Sequence, residues 1–141
     1  MIYIIDNTFN IDKNFYKNRL KQIVKTIKLR GHITVKLGDK EECRQLNTQF
    51  LERDYPTDVL SFPCRENLPG GFYLGDIFIC HPVAGEQATE NHIPLELELF
   101  TLMVHGILHL AGHDHEKDSG EMLHQQEELV NKYFNPDQGE P

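Results

Sequence analysis

The chain has 141 residues, 39% of them hydrophobic and 26% charged, and a formal net charge of −8. This length buries a core without disulfide or metal staples and argues one domain over 1–141, and the composition excludes a disordered or fibrous protein. There is no run of eighteen apolar residues to span a membrane, and the opening MIYIIDNTFN lacks the basic start of a signal peptide.

That opening predicts a first strand at 2–5 (IYII). A helix follows over 11–29, where Tyr16, Leu20, Ile23, Val24 and Ile27 recur at helical spacing, and Gly31 is expected to end it. Beside this stripe Lys13, Lys17, Lys21, Lys25 and Lys28 fall within an arc of about 120°. Residues 1–40 hold nine of the fourteen Lys and Arg and three acids, a balance of +6 against −14 for the rest. A solvated helix face and a surface that attracts a polyanion are both open readings of this stripe. HITVKL (32–37) alternates as a strand does, and a short helix is expected over 40–51. VLSFP (59–63) and YLGDIFIC (73–80) read as two strands joined by a loop containing ENLPGG. A helix over 82–91 would carry Pro82 in its first turn.

From Pro94 the segment LELELFTLMVHGILHLAG is too apolar for a single stripe. It predicts a largely buried helix ending at Gly112. The last helix, 119–134, turns Met122, Leu129 and Val130 inward, and a polar tail follows. Helices mixed with short strands give an α+β fold with a small mixed sheet. Cys43, Cys64 and Cys80, odd in number and without a ligand spacing, read as reduced thiols of a cytoplasmic protein.

The chemistry concentrates in HGILHLAGHDH (105–115), which holds four of the eight histidines. His105 and His109 are four apart and share a helix face. Gly112 can adopt a positive φ, so the chain can double back and bring His115 to the other two rings. Three imidazoles with an open fourth position suit one catalytic zinc ion per chain. The competing reading is of histidines held by hydrogen bonds in a core, or clustered as a pH-sensitive group. His113 falls outside the ligand pattern. Asp114 either orients a ligand or satisfies a turn, and Asp58 and Asp76 either support a metal-bound histidine or cap loops. The same spacing in metzincin peptidases, H-E-x-x-H-x-x-G-x-x-H, carries a general-base Glu after the first His. Here that residue is Gly106, which argues against peptide hydrolysis and is expected to leave room beside the metal for an anionic backbone. No catalytic side chain is assigned.

HGILHLAGHDHE resembles the H-G-x-L-H-L-x-G-[YF]-D-H signature of the YbeY family of bacterial zinc-dependent endoribonucleases. PTDVLSFP (56–63), LGDIFIC (74–80) and the pair Leu46–Asn47 are similar to further family blocks in the same order. The resemblance implies that His105, His109 and His115 bind zinc and that the substrate is single-stranded RNA. It further implies a role in 16S rRNA 3′-end maturation and ribosome quality control, with the small ribosomal subunit and ribosome-assembly proteins as partners. Two positions depart from the family pattern. His113 stands where an aromatic ring is usual, and Leu51 stands where the family typically has Arg, with Arg53 two residues on. The alternatives are a metallopeptidase-like hydrolase and a non-catalytic ribosome-assembly factor stabilised by zinc.

Overall fold

The computed structural model describes residues 1–51, 58–112 and 120–135. The elements run β1 (Ile2–Ile5), α1 (Lys13–Thr26), β2 (His32–Gly38), α2 (Lys40–Leu51), β3 (Val59–Leu68), β4 (Gly71–Cys80), α3 (His81–Glu90), α4 (Leu95–Leu110) and α5 (Glu121–Tyr133). The strands form a mixed sheet in the order β1-β2-β4-β3, as the α+β expectation requires. β1 pairs parallel with β2 and β2 parallel with β4, while β3 runs antiparallel to β4 along the edge.

Side-chain alternation assigns the two faces of the sheet. Ile2 and Ile4 of β1, Ile33, Val35 and Leu37 of β2, and Ile77 and Ile79 of β4 enter one core with α1, α4 and α5. Phe78 and Cys80, the alternate residues of β4, join Leu60 and Cys43 in a smaller cluster against α2. All three cysteines are free thiols. Among the described residues no single helix is long and apolar enough to cross a membrane.

Two local expectations are corrected. In α1, Asp12 caps the start by accepting from the Phe15 N–H, and the helix stops at Thr26. The left-handed residue there is Lys28 (φ 59°), not Gly31, and the next N–H, that of Leu29, returns to the Val24 carbonyl. Lys28 therefore leaves the stripe, and Lys13, Lys17, Lys21 and Lys25 remain on α1. The strands predicted at 59–63 and 73–80 extend through their supposed loop, so that Pro69 and Gly70 alone join them. The extension contains a bulge. Pro63 faces Gly75 and Glu66 faces Tyr73, which leaves Cys64 and Arg65 opposite the single residue Leu74. An edge strand with a bulge accommodates Pro63, which has no N–H to give a ladder.

α4 is the buried helix the sequence predicts, with Leu99, Phe100, Met103, Val104, Ile107, Leu108 and Leu110 nearly inaccessible. Each such side chain contributes about 1.5–3 kcal/mol by leaving water. Gly106 faces the sheet. A Cβ there would lie 2.7–2.9 Å from three side-chain carbons of the fully buried Ile77. The glycine thus lets α4 settle on β4, and the expectation that it opens space beside the histidines is wrong.

Candidate functional site

His105 and His109 project, half-buried, from the last two turns of α4. Their Nε2 atoms stand 3.1 Å apart, with the rings inclined at 70°. On the far side of His105, Nδ1 lies 2.8 Å from Oε1 of Gln126, a buried residue of α5. An amide oxygen can only accept, so Nδ1 carries the proton and the His105 Nε2 lone pair is directed at His109. Two nitrogens held 2.0–2.1 Å from a tetrahedral zinc are about 3.3 Å apart, so the observed separation and tautomer suit two ligands of one ion.

The helix ends at Leu110, with Ala111 as its C-cap. Gly112 takes φ 104° and its N–H returns to the His109 carbonyl, the turn expected of it. His113, Asp114 and His115 lie outside the described residues, as does Arg53. Among the described residues no third His, Cys, Asp or Glu joins His105 and His109. Leu51 is the last residue of α2.

Seven and eleven residues separate Glu98 from His105 and His109, so all three fall within about 40° on the surface of α4. Glu98 is only 8% exposed. The Gln87 amide nitrogen, directed at two carboxylates, donates to Glu98 Oε1 at 2.9 Å and to Asp58 Oδ2 at 3.1 Å. Burial, and after it the neighbouring Asp58, pushes the Glu98 carboxyl above the usual range. Asp58 also accepts from the Val59 N–H at 2.9 Å, so it caps the start of β3, and among the described residues it bonds to no histidine. Asp76 accepts from the Tyr73 hydroxyl. It alternates with Ile77, so it lies on the α2 face of the sheet, away from the histidines.

Sequence reasoning missed two groups at this end of α4. Gln126 interrupts the buried stripe Met122, Leu129, Val130 and Tyr133 of α5, and a polar residue on such a stripe was the available signal. Arg65, from the bulge in β3, donates through Nη2 to the Leu110 carbonyl at 3.2 Å, and no local pattern announces it.

A family model described as endoribonuclease YbeY matches residues 2–134. The endoribonuclease YbeY of Thermotoga maritima is 40% identical over 121 residues, covering 84% of this chain and 78% of the relative. That of Persephonella marina is 37% identical over 134 residues, covering 89% and 88%. That of Nautilia profundicola is 40% identical over 129 residues, covering 92% and 91%. A solution structure of a Thermotoga maritima protein superposes with a TM-score of 0.72 at 33% identity, over the full length of both chains.

Proposed function

The chain belongs to the YbeY family of endoribonucleases, enzymes that hydrolyse RNA phosphodiester bonds, and from that premise we propose where and on what it acts. The reaction centre is the His105–His109 pair, completed by His115 around one zinc ion. The substrate is single-stranded RNA of the maturing small ribosomal subunit, at the 16S 3′ end, which places the work in the cytoplasm beside ribosome-assembly proteins.

The observation that carries the site is the 3.1 Å approach of two Nε2 atoms with Gln126 fixing the His105 tautomer. Zinc at such a site supplies a Lewis acid for a phosphoryl oxygen and a water of lowered pKa. Gln126 holds the proton on Nδ1, which leaves Nε2 unprotonated and the ring fixed in orientation. A peptidase would take its general base from position 106. Gly106 has no side chain, and its missing Cβ would point at Ile77, which disfavours that alternative. Lys17, Lys21 and Lys25 have no ion-pair partner among the described residues and give α1 a cationic face for an RNA backbone. The ribosomal assignment is supported by the resemblance of HGILHLAGHDHE, PTDVLSFP and LGDIFIC to the family blocks.

The test pairs metal analysis with cleavage of single-stranded RNA, on wild type and His109→Ala. The wild type should hold one zinc per chain, and the variant should lose the metal and at least about a thousandfold in cleavage. Wild-type protein with far less than one zinc, or a variant that cleaves normally, would overturn the reading.

A further inference from the structure

We propose that Arg65 is the phosphate-binding residue of this site, its guanidinium gripping the RNA backbone at the end of α4 that carries the histidines. The proposal rests on the reading of His105 and His109 as the place of cleavage.

Arg65 reaches this place through the bulge in β3. The residue is in the left-handed region (φ 53°), which a side chain disfavours and glycine adopts freely. The bulge takes Arg65 out of the regular pairing with β4, and its side chain runs to the end of α4. There Nη2 donates to the carbonyl of Leu110, the residue after His109. A side chain on Gly112 would begin 3.9 Å from the same nitrogen. The guanidinium thus stands beside the turn that leaves the histidine helix.

Three features suit it to an anionic ligand. It is exposed, and the single carbonyl bond leaves most of its five N–H donors available for a bidentate grip on a phosphate. It offsets the partial negative charge of the helix C-terminus, which would otherwise repel RNA at this point. Finally, it is a scarce cation. Only five Lys and Arg follow residue 40, where the balance is −14. Of those in the described residues, Arg44 pairs with Glu41 and Lys132 lies over the Tyr133 ring, whereas Arg65 has neither an acid nor a ring as partner among the described residues.

A cap for the α4 C-terminus is the purely structural alternative, and two substitutions separate the roles. Arg65→Gln keeps a neutral donor for the Leu110 carbonyl. Arg65→Gly removes the side chain but relieves the backbone, since glycine adopts φ 53° freely. Both, with wild type and Arg65→Lys, are assayed as zinc-loaded protein for cleavage of single-stranded RNA, for the salt dependence of RNA binding and for melting temperature. Arg65→Gln and Arg65→Gly should each lose about ten- to a hundredfold in cleavage at limiting RNA, mainly through KM. Their plots of log affinity against log salt should flatten by about 0.7, with Arg65→Lys keeping the slope. Wild-type KM and slope in either neutral variant, whatever its melting temperature, would overturn the assignment and leave the zinc site standing. A wild-type protein that neither binds nor cleaves RNA would overturn the reading of the site and this assignment with it.

Discussion

The two ends of α4 hold polar groups on one face of one helix, yet they are built for opposite charges. Toward the N-terminal end Glu98 is buried beside Asp58, and a neutral amide, Gln87, is what holds the two carboxylates. About 10 Å further along the axis, His105 and His109 meet each other, Gln126 backs His105, and the cation Arg65 binds the Leu110 carbonyl. The helix dipole favours each arrangement, an acid near the N-terminus and a cation at the C-terminus. The difference lies in access. The acidic end is closed over by α3 and the start of β3, while the imidazoles are only half-buried and Arg65 is exposed. The first cluster is structural, and the second is open to a ligand.

The largest test strikes the seat of the histidine end, where α4 settles on the sheet. Gly106→Glu forces a side chain into Ile77 and buries a carboxylate against the sheet, and should cost at least about 3 kcal/mol. Gly106→Ala should cost about 1–2 kcal/mol even after the gain in helix propensity. Replacing Ile77 by Ala alongside Gly106→Ala should return part of this, a coupling of about 1 kcal/mol that urea unfolding of the single and double variants would measure. Additive effects would show that α4 has room to shift.

At the open end, Gln126→Leu removes the acceptor that fixes His105 without touching a proposed ligand. Zinc affinity, measured by competition with a chelator, should fall about ten- to a hundredfold while the fold survives. An unchanged affinity would mean that His105 is oriented by other contacts.

The smallest effect belongs to the closed end. Glu98 has a raised folded-state pKa, so its stabilising contribution is full below the ordinary carboxylate range and is lost as pH rises through the folded value. Glu98→Gln removes that loss and keeps an oxygen for Gln87. It should leave melting nearly unchanged near pH 4.5 and raise stability at pH 8 by up to about 1 kcal/mol. RNA cleavage should stay at the wild-type level. A loss of cleavage with zinc retained would erase the contrast between the two ends.

Sequence by itself determined whatever is periodic or local. The order of elements, the buried character of α4, the inward residues of α5, the turn at Gly112 and the pairing of His105 with His109 follow from 3.6-residue spacing and from the backbone freedom of glycine. Tertiary structure decided what depends on distant neighbours. The strands around 66–73 looked like a loop because Pro and Gly break local patterns, and only pairing across β3 and β4 makes them a hairpin with a bulge. Arg65 was illegible for the same reason, since a bulge re-aims a side chain by register and no local spacing encodes register. Gly106 reads in sequence as an absent base, and only the packing of α4 on Ile77 shows the absence to be a requirement of close approach. Gln126 acquires its role from a helix crossing twenty-one residues later in the chain, because a hydrogen bond needs two partners and sequence presents them one at a time.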